Sequence, residues 1–96
     1  MLDIVVSPRA AADLDDIWEY TIERWGERQA ETYLRLIKGA IGVVSANPKA
    51  GQTCDDVRPG YRKYSVGSHV LFYQVTKANI VVVRILHQRM DAEHHL

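Results

Sequence analysis

The side chains best suited to chemistry sit where an apolar run gives out. Residues 81–91 read VVVRILHQRMD, so Arg84 interrupts a row of valines and His87, Gln88 and Arg89 follow it. A guanidinium is a planar fork that matches phosphate or carboxylate, and an imidazole changes charge near neutral pH. Two chemistries use such a set: cleavage of a phosphodiester and docking on an acidic partner. Cleavage of RNA by its own 2′-hydroxyl needs a group to take that proton, a group to protonate the leaving oxygen, and cations on the phosphate. One histidine with scattered cations meets only part of that demand. Docking asks less, and arginine and methionine are enriched in protein interfaces. Arg62, Arg84, His87, Arg89 and Met90 are therefore the candidate target-binding residues. Arg84 raises its own problem, because a guanidinium among valines is costly unless paired. Its expected partners are Asp3, Asp55 or Asp91, or else an anionic group of a ligand.

Other chemistries find little support. Cys54, the single cysteine, stands beside Asp55 and Asp56, whose negative charge raises a thiol pKa and makes it a poor nucleophile. Asp91, His94 and His95 are too near the end of the chain to make a convincing metal site, so no metal and no cofactor are expected. No glycine-rich phosphate loop, nucleophile elbow or dinucleotide fingerprint occurs. Formal charge is zero, with 12 Lys and Arg against 12 Asp and Glu, and it divides into −3 over residues 1–48 and +3 over residues 49–96. That balance argues against direct nucleic-acid binding, which usually needs a larger basic excess. No apolar run approaches the length of a membrane span. The opening MLDIVV has neither a basic start nor a cleavage site, and one lone cysteine cannot make an internal disulfide, so a cytoplasmic setting is expected.

Ninety-six residues predict one domain over 1–96. Leu2–Val6 reads as a short strand. Ser7-Pro8 starts a helix, with serine as N-cap and proline in the first turn. Its apolar residues Leu14, Ile17, Trp18, Ile22 and Trp25 trace one face, and Gly26 ends it. A second helix runs from Glu27 to Ala46 on a stripe that includes Tyr33, Ile37 and Ile41, and Asn47-Pro48 stops it. Gly39 and Gly42 inside it suggest either close approach of the first helix or a groove for a partner helix. Residues 49–60 read as a loop. Three strands follow, Tyr61–Val66, His69–Thr76 and Ile80–Leu86, and their short links force antiparallel pairing. The fold class is α+β in the order β-α-α-β-β-β, with a helical hairpin on one face of a small, mainly antiparallel sheet. Alternation puts Ile80, Val82, Arg84 and Leu86 on one face of the last strand. Two helices cover one face only, so the face with Arg84 is expected to be open.

The hairpin YRKYSVGSH over residues 61–69, the strand FYQV over 72–75 and the ending RILHQRMD over 84–91 together resemble the ParE toxins of bacterial toxin–antitoxin modules, within the RelE/ParE superfamily. RelE-type members are ribosome-dependent ribonucleases, whereas ParE-type members are known for inhibiting DNA gyrase. The resemblance therefore implies a toxin that binds gyrase and is silenced by a ParD-like antitoxin in a hetero-oligomer. RelE-type nucleases place a phosphate-binding arginine in a Tyr-Arg-Leu-Val-Tyr pattern on the middle hairpin strand. The matching run here is His69-Val70-Leu71-Phe72-Tyr73, and Val70 cannot bind phosphate. A non-enzymatic toxin is expected. The alternatives are a RelE-like mRNA endoribonuclease and a non-toxic relative that binds only the antitoxin. Two tryptophans and five tyrosines are many large rings for so small a chain. The antitoxin groove is accordingly expected at Trp18, Trp25, Tyr33, Ile37 and Ile41.

Overall fold

Ser7, between the first strand and the first helix, ties that helix to the last strand through three hydrogen bonds. Its side-chain oxygen accepts from Ala10 N–H at 3.0 Å and donates to the Val83 carbonyl at 2.8 Å, while its own N–H donates to Val82 at 3.0 Å. The N-cap is thus also bonded to the sheet. The computed structural model describes residues 2–96. Strand β1 is Asp3–Val6, helix α1 is Pro8–Trp25 and helix α2 is Glu27–Ala46. Gly26 separates the helices at φ 89°, a conformation that glycine adopts without steric cost, and its N–H closes α1 on the Ile22 carbonyl. After a 3-10 turn at Pro48–Ala50 come β2, Gln52–Thr53; β3, Tyr61–Val66; β4, His69–Val75; β5, Asn79–His87; and a one-turn helix α3, Ala92–His95.

The sheet order is β1-β5-β4-β3-β2. Strand β1 runs parallel to β5, and every other pairing is antiparallel. The α+β class and the helical hairpin on a mainly antiparallel sheet agree with the sequence. Residues 52–53, expected to be loop, instead add an edge strand to β3.

The main core lies between the hairpin and the sheet. Ala10, Ile17, Ile37, Ile41 and Val44 from the helices meet Val66, Leu71, Tyr73, Ile80, Val82 and Ile85 from the strands. Fully burying a side chain of this size contributes on the order of 1.5–3 kcal/mol. Tyr73 is buried with its hydroxyl satisfied, donating to Pro48 O at 2.7 Å and accepting from Gly51 N–H at 2.9 Å. A Cβ at Gly51 would collide with that hydroxyl and come within 2.7 Å of Lys63 O, so close backbone approach requires glycine there.

Simple alternation fails within β5. Phe72 faces Arg84 and Tyr73 faces Val82, which leaves Val83 as the extra residue of a bulge. Ile80, Val82 and Ile85 therefore share the helix face, and Arg84 and Leu86 take the other. The expectation that the second face is open is corrected here. Cys54, Phe72 and Leu86 form a second, smaller core on it, covered by Val57 and Tyr61 and by Ala92 and Leu96 of the C-terminal turn.

Candidate functional site

Strand β1 stops opposite Val82, which leaves the far half of β5 without a strand on that side. Helix α1 takes the vacated place. Asp13 Oδ2 accepts from Ile85 N–H at 2.9 Å, as a neighbouring strand's carbonyl would. The same carboxylate holds Arg84 in a bidentate pair, with Nε to Oδ2 and Nη2 to Oδ1 both at 2.8 Å. The remaining arm of Arg84, Nη1, donates to the His95 carbonyl at 2.6 Å. The two side chains are 13% and 11% exposed. Asp13 pushes the Arg84 pKa further up through these hydrogen bonds, against the opposing effect of burial. The partner of Arg84 is thus Asp13, not Asp3, Asp55 or Asp91. It lies 71 residues away, and alternation along one strand carries no signal of it. The fork of Arg84 is filled from within the chain.

The end of the sheet next to the β3–β4 turn gathers a different set. Gly67, at φ 57°, leads the two-residue turn Gly67-Ser68, and a Cβ on it would meet the Tyr33 ring at 2.7 Å. Ser68 N–H donates to the Tyr33 hydroxyl at 2.9 Å, and the same hydroxyl shares a hydrogen bond with His69 Nδ1 at 2.5 Å. Burial first, and then neighbouring His87, lower its pKa, while Asp13 opposes them. The two imidazoles meet edge to face at 5.3 Å, and His87 Nδ1 accepts from Arg89 N–H at 3.2 Å. Both histidines thus have Nδ1 engaged locally. Tyr20, Trp25 and Met90 surround them over two adjoining hollows of about 500 and 320 Å³. Nothing in the sequence pattern singled out His69, which only the pairing of His69 with His87 brings to the site.

The other expected residues divide between this site and the rest of the molecule. His87 and Met90 lie at the histidine pair, and Arg89 follows His87 on the exposed surface. Arg62 stands apart, opposite Tyr73 on β3, four residues along β4 from His69, with Nη1 donating to Gly51 O at 2.7 Å. Trp25 is largely exposed and Tyr33 half-buried, both at the hollow just described. Trp18 faces a separate shallow depression with Leu34 and Lys38. Ile37 and Ile41 are not groove residues, because both are buried in the main core where the stripe of α2 meets the sheet.

A long open groove does run beside α2, on the side away from α1. It measures about 770 Å³ and is floored by Gly39 and Ala40 between Leu36, Val43, Tyr64 and Val66. A Cβ at Gly39 or at Gly42 would meet nothing within 4 Å, so neither glycine serves close packing of the helices. Among the described residues no three His, Cys, Asp or Glu side chains gather as a metal set, and no helix is long and apolar enough to cross a membrane. Asp91 and His94 instead pair with each other at 2.5 Å.

Similarity to known proteins fits this architecture. Residues 4–92 match the family model for the ParE toxin of the type II toxin–antitoxin system parDE. The chain is 55% identical to Toxin ParE1 of Mycobacterium tuberculosis over 93 residues, covering 96% of this chain and 95% of that one. It is 45% identical to Toxin ParE1 of Caulobacter vibrioides over 91 residues, covering 95% and 94%. In structure it resembles a chain of the chromosomal ParDE TA system from P. aeruginosa, with a TM-score of 0.80 at 24% identity over 91% of this chain and 96% of that one. With sequence and fold in agreement over nearly its whole length, the chain belongs to the ParE toxin family of type II toxin–antitoxin systems.

Proposed function

We propose that this toxin inhibits DNA gyrase by protein–protein binding in the cytoplasm, without catalysis, and is neutralised by a ParD-like antitoxin. The position of Val70 carries the reading. Where nuclease relatives of this fold are expected to hold a phosphate-binding arginine, Val70 pairs with Leu86 and packs on the second core with Phe72 and Cys54. The two arginines nearest in the sheet are engaged internally, Arg84 by Asp13 and Arg62 by the Gly51 carbonyl. His87, Arg89 and Met90 remain as a surface that suits binding, with Tyr20 and Trp25 beside them. Aromatic and arginine side chains of this kind dominate binding energy at interfaces. The antitoxin is assigned to Trp25, Tyr33 and the groove along α2, whose glycine floor admits close approach of a partner segment.

One observation favours the nuclease alternative. Tyr33, His69 and His87 stand together, and a tyrosine with two imidazoles is capable of proton transfer. Purified toxin incubated with supercoiled plasmid, gyrase and ATP, beside a ribosome-bound mRNA assay, separates the readings. Inhibited supercoiling with intact mRNA is expected. Cut mRNA with normal supercoiling refutes the proposal, and no effect in either assay leaves a non-toxic antitoxin-binding relative.

A further inference from the structure

His69 opens β4 and His87 closes β5, and the register sets them directly opposite each other. Their rings meet at 80° with centres 5.3 Å apart. Two imidazoles that hold one ion through nitrogens at about 2.0–2.1 Å have ring centres roughly 5–6 Å apart. The backbone fixes the pair at that spacing. Gln88 N–H donates to Ser68 O at 2.9 Å, which ties the residue after His87 to the residue before His69.

The four ring nitrogens divide into two kinds. Both Nδ1 atoms are engaged, one by the Tyr33 hydroxyl and the other by Arg89 N–H. Neither Nε2 has a hydrogen-bond partner among the described residues. Neither is sealed in the interior, because no buried side-chain nitrogen or oxygen there lacks a partner. Both Nε2 atoms are thus unpartnered and open to solvent. The two histidines share a hollow of about 320 Å³ with Asp13 and Asp16 of α1. Asp13 is committed to Arg84 and Ile85, whereas Asp16 has no ion-pair partner among the described residues. Its carboxylate favours a positive occupant.

We propose that His69 and His87 bind one divalent cation of the zinc, nickel or copper class through their Nε2 atoms, with water completing its coordination. Imidazole suits these ions, whereas magnesium and calcium prefer oxygen. No third His, Cys, Asp or Glu is in place among the described residues, so the pair is an open chelate and not a closed structural zinc site. An ion on Nε2 requires the ring proton on Nδ1. At His69 that proton can be donated to the Tyr33 hydroxyl, an outer partner of the kind that orients metal-bound imidazoles. At His87 it displaces Arg89 N–H, an exposed bond of 3.2 Å that water can replace. The site does not depend on which macromolecule the toxin acts upon.

Calorimetric titration of the full chain with zinc chloride tests the proposal. The chain has 4 histidines, so His94→Gln with His95→Gln leaves His69 and His87 as the only two, and the titration is made in that background. One zinc ion per chain is expected, with no binding of magnesium chloride under the same conditions. Adding His69→Gln or His87→Gln should weaken zinc binding at least tenfold. Zinc should also raise the thermal midpoint of the background variant and leave that of the His87→Gln form unchanged. Circular dichroism checks each fold, and should His69→Gln fail to fold, His87→Gln decides alone. No zinc binding in the background variant overturns the proposal. So does binding that survives loss of His87, binding of magnesium as tight as that of zinc, or saturation at one ion per two chains, which assigns the ion to a contact between copies.

Discussion

Replacing Asp13 by alanine removes three acceptor contacts at once: two from Arg84 and one from Ile85 N–H. Stranding one member of a buried ion pair costs about 3–5 kcal/mol. Arg84 is slightly exposed and keeps its bond to His95 O, so part of its charge can be resolvated. Ile85 N–H, on a strand edge covered by α1, loses its Asp13 acceptor. The expected loss is about 2–4 kcal/mol, out of a total of roughly 5–15 for a typical domain. For a chain of this size the thermal midpoint should fall by roughly 10–25 °C. Urea unfolding followed by circular dichroism gives the free energy directly, and a slope matching wild type would show that the surface exposed on unfolding is the same. Combining Asp13→Ala with Arg84→Met should recover stability relative to Asp13→Ala alone, because it removes the stranded charge. A loss below about 1 kcal/mol for Asp13→Ala, or a double variant no better than the single, refutes the role assigned to this pair.

Three further outcomes follow from the same geometry. His69 is held below its ordinary pKa of about 6.5, so the folded chain binds fewer protons than the unfolded one just under that pH. Its contribution is complete above pH ~6.5 and lost as pH falls through the folded value; the thermal midpoint should drop more steeply between pH 7 and 5 in wild type than in His69→Gln. Gly67→Ala should cost about 1–3 kcal/mol by urea unfolding, since it combines φ 57° with a clash against the Tyr33 ring. Burial raises the pKa of Cys54, and the C-terminal turn helps to cover it, so its thiol should react slowly with a disulfide reagent; deletion of residues 91–96 should speed that reaction severalfold while the far-ultraviolet spectrum is kept.

The helices were legible because each boundary has a local cause: Ser7-Pro8 at the start, Gly26 between, Asn47-Pro48 at the end. The β3–β4 turn was equally plain from Gly67-Ser68. What escaped depends on distant partners. Strand β2 has two residues and exists only through β3. The second core draws on Cys54, Phe72, Leu86 and Leu96, which no single window of sequence contains. The bulge at Val83 defeated an alternation that holds on both sides of it, and with it went the expected surroundings of Arg84. Ile37 and Ile41 share the stripe of Tyr33, and only the packing of α2 on the sheet decides which of the three reaches the surface. Gly39 and Gly42 left packing and groove open as explanations until the space around them was known.

The extra residue in β5 gives that strand two allegiances. Up to Val82 it answers to β1, and beyond Val83 it answers to α1 and the end of the chain. Were Val83 instead paired in the ladder with no bulge, the strand would be regular and for that reason damaged: Ile85 and Leu86 would trade sides, and the arginine would swing away from its carboxylate. The irregularity works as a crankshaft, letting one ribbon drive two unlike surfaces.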